Sequence, residues 1–189
     1  EKTIKVIKKA KNEDKIFTTG VSINNLSLNE NDIGDFRTFL KLSPPLRTEN
    51  DRVSLVDAVN DGTIDVIVSD HKPEDEESKR LTFAQAATGA AGIETLLPLA
   101  LELFHNKSLS LNKIVAALTS NPSRILKINK GTLDVGCDAD LCVLDINKPW
   151  VVKSSELKSK SKNTPIENRK LQGQILKTYI KGNLLFERA

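Results

Sequence analysis

The chain has 189 residues, 39% of them hydrophobic and 28% charged, with a formal net charge of +3. That balance predicts an ordinary globular protein with one substantial core, and it excludes a chain disordered throughout. Its apolar stretches fall far short of the roughly 20 residues that cross a bilayer. The charged start from Glu1 to Lys11 contains no apolar signal-peptide segment, so a cytoplasmic protein is the default expectation.

From Thr3 to Asn12, Ile4, Val6, Ile7 and Ala10 recur at helical spacing among lysines, which predicts an amphipathic helix with no strand before it. A strand is expected at Ile16 to Ile23, followed by the polar loop SLNENDIGDF. In KLSPPLR, Lys41 to Arg47, two prolines exclude both helix and central strand. Arg47, Glu49 and Arg52 read as a charge cluster at the start of a helix that runs from about Asp51 to Asn60 and closes at Asp61-Gly62. Ile64, Val66, Ile67 and Val68 then form the β-branched run of a buried parallel strand. This βα alternation marks a parallel sheet or barrel.

Beyond Asp70 the pattern turns helical, around Phe83 to Ala87, from Ile93 to Phe104, from Leu111 to Ser120, and from Pro122 to Leu126, where proline suits a first turn. From Gly131 the texture changes to short β segments, GTLDVGCDADLCVLDI, PWVVK and QILKTYIKGNLLFE, with Lys181-Gly182-Asn183 as a hairpin turn. The expected division is therefore residues 1–128 and a small β domain over residues 129–189. Cys137 and Cys142 match neither a metal knuckle nor a disulfide framework and read as reduced core residues. The lysine-serine run Lys153 to Lys162 lacks interleaved aromatics, so a solvated loop is expected rather than a nucleic-acid surface.

The candidate chemistry sits at Asp70-His71, a carboxylate and an imidazole side by side at the C-terminal end of the Ile64 strand, where a (β/α) barrel keeps its active site. Asp70 is the first catalytic candidate. His105 closes an amphipathic helix and reads as a surface residue. The run Glu74 to Glu77 followed by Lys79-Arg80 reads as a solvated loop with weak local ion pairs, or as a flap over the site.

The segments SDHKPEDEESK, GAAGIET, KLSPPLRTENDR, NPSRILKINKGTLDVGCDADLCVLD and SKNTPIENRKLQGQILKTYIKGNLLFE together resemble the C-terminal half of a class I dihydroorotase, of the amidohydrolase superfamily. The resemblance implies an α/β fold class: the C-terminal part of a (β/α)8 barrel of the metal-dependent hydrolase kind, plus a segment of a small β-sandwich. It also implies a zinc-dependent hydrolase of a cyclic amide, interconverting N-carbamoyl-L-aspartate and dihydroorotate in pyrimidine biosynthesis. Asp70 matches the family's proton-shuttling aspartate, which also contacts zinc, and His71 matches a residue that supports its loop. Ser43, Glu74, Thr88 and Gly89 fall at substrate-contacting positions.

Three residues depart from the family pattern. Asn24 stands where relatives carry a zinc-binding histidine, Ser43 stands for an asparagine, and Glu74 replaces a substrate-binding histidine. A neutral amide binds zinc far more weakly than imidazole. A carboxylate at position 74 would face an anionic substrate unless it is neutralised or turned away. The family's His-x-His zinc ligands lie upstream of the matched segment. The implied partners are a small-molecule substrate, a homo-oligomer and possible association with aspartate carbamoyltransferase, with neither nucleic acid nor membrane. Two alternatives stay open: a catalytically impaired dihydroorotase-like subunit that scaffolds that transferase, and a related hydantoinase or allantoinase.

Overall fold

The computed structural model describes residues 1–188. Helix α1 (Lys2–Asn12) buries Ile4 and leaves its lysines in solvent, except that Lys11 reaches Asp65 at 2.9 Å. Strands β1 (Gly20–Ser22) and β2 (Val66–Val68) pair in parallel, with Gly20 opposite Val66 and Ser22 opposite Val68. The first strand is thus shorter than the Ile16 to Ile23 expected. At its front end, the Asp65 carboxylate accepts the Thr19 N–H at 2.8 Å in place of a ladder bond, and Ile16 lies fully exposed. At its far end, the Ser22 hydroxyl caps the Asn24 N–H at 3.3 Å and turns the chain at once into helix α2 (Ile23–Ser27).

Two single 3-10 turns and the proline segment lead to helix α3 (Glu49–Asn60), capped by the Thr48 hydroxyl on the Asp51 N–H and closed at Asp61-Gly62. After β2 a helix forms earlier than predicted. Helix α4 (Glu76–Arg80) starts where the Asp75 carboxylate accepts the Ser78 N–H at 2.8 Å. Residues 83–87, expected to be helical, form a turn that sets Phe83 edge-on against Phe36. An N-cap carboxylate with acidic residues behind it and basic residues at the end outweighs the apolar spacing of the later segment.

Helix α5 (Leu96–His105) is the centre of the molecule, with Leu99, Ala100 and Leu101 wholly buried. Each buried leucine contributes about 1.5–3 kcal/mol of apolar burial. Helices α6 (Leu111–Leu118) and α7 (Ser120–Leu126) follow. Strands β3 (Leu141–Val151), β4 (Lys170–Ile180) and β5 (Asn183–Glu187) then make an antiparallel sheet in that order. The β4–β5 turn places Lys181 at φ +49° and Gly182 at φ +78°, the left-handed pair of a two-residue hairpin. Val152, Ile166 and Leu171 join the same buried cluster as Ile23, Leu99 and Ile114. Gly173, at φ +104°, is what lets α5 lie so close to β4, because a Cβ there would stand 2.3 Å from Leu101 Cδ1.

Residues 131–140 form no strand, since Lys130 folds back onto Asp138 and Asp140. The cysteines are correspondingly not core residues: Cys142 is exposed on β3, and Cys137 sits partly covered in that loop, both as free thiols. His105 is also not a plain surface residue, because its Nε2 contacts the Ile146 carbonyl at 2.9 Å, beside the irregularity in β3. Among the described residues no helix is long and apolar enough to cross a membrane.

Candidate active site

The register of the parallel pair places Asn24 and Asp70 at the same end of adjacent strands, each two residues past the matched pair Ser22 and Val68. Asp70 is half-buried, with its backbone in the left-handed region at φ +49°. The loop's local bonds are made by other groups. Asp75 caps α4, and His71 Nδ1 accepts the N–H groups of Gly92 at 3.1 Å and Ile93 at 3.3 Å, leaving the Asp70 carboxylate without a hydrogen bond among the described residues. Because Nδ1 receives both donors, the imidazole proton resides on Nε2. His71 thereby fixes residues 90–93 against β2, an arrangement continued by its parallel bridge to Ala90 and by the Lys72 N–H on the Ala90 carbonyl at 2.9 Å.

Glu74, Thr88 and Gly89 come together around Lys72. Its ammonium lies 3.4 Å from the Glu74 carboxylate and donates to the Thr88 hydroxyl at 3.5 Å. Glu74 is therefore neutralised within its own loop. Gly89, at φ +141°, has no room for a side chain, since a Cβ would stand 2.6 Å from the Lys72 carbonyl. Its N–H donates to the Lys41 carbonyl at 3.0 Å, which brings the proline segment alongside, while Ser43 itself is exposed and touches none of the three. Asn24 is 1% exposed, and its Nδ2 has no partner within the protein, an unsatisfied donor at the strand end next to Asp70.

Two features beside these residues were not visible as functional in the sequence. Lys79 is 1% exposed, and its ammonium donates to the carbonyls of Ala87 at 2.7 Å, Thr38 at 3.1 Å and Lys41 at 3.4 Å. It pins three loops at one point with no carboxylate in contact, and burial pushes its pKa down to about 8, the Glu74 charge opposing and Lys41 and Lys72 adding. Asn163 is buried and bonded to both the Glu74 N–H and the Gly89 carbonyl. Next to it lies an open cavity of about 880 Å³ whose walls include His71, Pro73, Glu74, Ser161 and Asn163.

Among the described residues no three His, Cys, Asp or Glu side chains cluster in a way that could hold a metal. The donors at this strand end are one free carboxylate, one imidazole nitrogen and one neutral amide, which do not close a zinc cage by themselves. Asp70 can supply one ligand to a site completed by other residues.

The amidohydrolase family profile matches residues 1–185. The dihydroorotase of Ehrlichia canis (strain Jake) is 41% identical over 184 residues, covering 97% of this chain and 41% of that protein. The dihydroorotase of Acetivibrio thermocellus is 38% identical over 186 residues, covering 98% of this chain and 44% of that protein. The chain thus spans less than half the length of these relatives. Among solved structures, L-hydantoinase (dihydropyrimidinase) from Arthrobacter aurescens superposes with a TM-score of 0.89 at 30% identity, over 97% of this chain and 42% of that one.

Proposed function

Because the chain belongs to the amidohydrolase family, we propose that it carries the Asp70 side of a dihydroorotase active site, interconverting N-carbamoyl-L-aspartate and dihydroorotate. In this reading residues 1–128 are the later part of a (β/α)8 barrel, and residues 129–189 contribute to a β-sandwich. The observation that carries it is an unpaired carboxylate at the end of a parallel strand, on a chain whose curated relatives named above are dihydroorotases.

Hydrolysis of a ring amide needs a base that takes a proton from the attacking water and returns it to the leaving nitrogen. A carboxylate bonded to nothing else can do both, and Asp70 is given that role. His71 keeps the 90–93 backbone in register with the strand end that bears it. Zinc, when bound, supplies a water whose pKa is lowered to about 7. Its remaining ligands must come from outside the residues described above. Lys72 pairs with Glu74, so an anionic substrate meets no unpaired negative charge there.

A second reading has one observation in its favour, the buried amide of Asn24 where an imidazole is usual. In it the protein has lost turnover and scaffolds aspartate carbamoyltransferase. Assay of the purified protein with dihydroorotate, carbamoyl-aspartate and a panel of hydantoins, with zinc supplied, separates these readings. Turnover of the first two alone supports the proposal. Turnover of hydantoins only, or co-purification with the transferase and no turnover, overturns it.

A further inference from the structure

Asn163 lies 89 residues from Glu74 in sequence, yet its side-chain oxygen accepts the Glu74 N–H at 3.3 Å. Its Nδ2 donates to the Gly89 carbonyl at 3.2 Å, and its own carbonyl accepts the Ala91 N–H at 3.3 Å. Ser161 completes the arrangement, its hydroxyl in hydrogen-bonding range of both Asn163 Oδ1, at 2.5 Å, and the Glu74 carbonyl. Asn163 is 3% exposed, and Thr164, Pro165 and Ile166 behind it are buried, so the segment is anchored in the core rather than lying over the surface.

The long excursion between residues 72 and 90 therefore has two supports at its base. One is the strand extension of His71 and Lys72 onto Ala90. The other is Asn163, which spans the outgoing limb at Glu74 and the returning limb at Gly89 with a single amide group. Farther out, Lys79 on the Ala87 carbonyl and the Ala87 N–H on the Ser78 carbonyl also tie the limbs, but at the base Lys72 joins them only through exposed side-chain contacts, at 3.4 Å to Glu74 and 3.5 Å to Thr88. An amide is the one small side chain that offers an acceptor and a donor about 2 Å apart, which is what an N–H on one limb and a carbonyl on the other require.

We infer that Asn163, assisted by Ser161, is a positioning residue that sets the separation of the Glu74 and Gly89 limbs and with it the width of the adjoining cavity lined by His71, Glu74 and Asn163, which we assign to the substrate. This rests on the proposed function for its substrate, though not for its structural content. Because Asp70 lies outside the clamp, loosening it should weaken substrate binding more than it slows the chemical step.

The test combines Asn163→Ala, Asn163→Asp and the milder Ser161→Ala with two readouts. In hydrogen exchange the Glu74 amide and its neighbours at 72–74 and 89–91 should lose protection in N163A while α3 and α5 keep theirs. N163D, which keeps the acceptor for Glu74 but has no donor for Gly89, should loosen 89–91 more than 72–74. In steady-state kinetics N163A should raise KM for dihydroorotate on the order of tenfold with kcat changed by less than about threefold. Unchanged exchange at both limbs, loosening spread evenly over the whole chain including in S161A, or a fall in kcat at constant KM overturns the inference. Absence of turnover in the unmodified protein, assayed together with the residues that complete its zinc site, would instead count against the proposed function, and the exchange pattern would still decide the clamp.

Discussion

Lys79 gives a prediction whose sign is fixed by the structure. Its ammonium is buried among three carbonyls, and its pKa falls from 10.5 to about 8 because burial penalises the charge. At about 1.4 kcal/mol per pH unit, the charged form is disfavoured in the folded protein by about 3 kcal/mol. The unfolded chain keeps this proton up to its ordinary value of 10.5, whereas the folded chain releases it near 8. Between those values the unfolded state binds more protons, so stability rises with pH. In Lys79→Met the charge is gone and the gain with it. Of the three carbonyls, those of Thr38 and Lys41 keep the Lys41 and Gly89 N–H groups, so that only the Ala87 carbonyl is orphaned, at about 1–3 kcal/mol. Near pH 7 the two proteins should therefore differ little, and by about pH 11 the unsubstituted protein should be ahead by about 3 kcal/mol. Urea unfolding of both across that range measures the difference, in which every group common to the two proteins cancels. Parallel stability profiles would refute the assignment of a destabilising buried charge to Lys79.

Asp65 gives the same sign of pH dependence at the acid end, but there the charged form is the favoured one. Burial works against its ionisation, but Lys11 and the Thr19 N–H and hydroxyl hold its pKa below 3.8, so the stability it contributes is present above that value and is lost as acid protonates it. Asp65→Asn should flatten the acid limb of the stability profile, measured by unfolding at successive pH values. Gly173→Ala should cost about 2 kcal/mol or more in chemical denaturation, because alanine is strained at φ +104° and its Cβ meets the wholly buried Leu101. An unchanged midpoint would show that α5 has room to move away from β4.

Much of the helical framework was legible because local signals agreed: the apolar spacing of α1 and the Asp61-Gly62 stop of α3 both hold in the structure. Asp70 was legible because a β-branched run ending in a carboxylate is a local pattern. What was not legible depended on competition or distance. The apolar residues at 83–87 suggested a helix, but the Asp75 cap draws it forward to 76–80. Cys142 lies on a strand and looked buried, yet a strand's period does not say which face has a neighbour. Lys79 reads in sequence as one more charge in an acidic and basic run, and its burial follows from carbonyls up to 41 residues away. Asn163 had been part of a recognised motif without a role, which emerges only when Glu74 and Gly89 arrive on either side of it.

The central claim is that the Asp70 carboxylate carries the proton in ring opening and closure. It is tested most directly by Asp70→Asn, which keeps the side chain's size and removes only its basicity. Since that carboxylate has no hydrogen-bond partner among the described residues, urea unfolding should move by no more than about 0.5 kcal/mol. Turnover of dihydroorotate should fall by at least about a hundredfold. Retention of most of the turnover by a folded D70N protein would contradict the account.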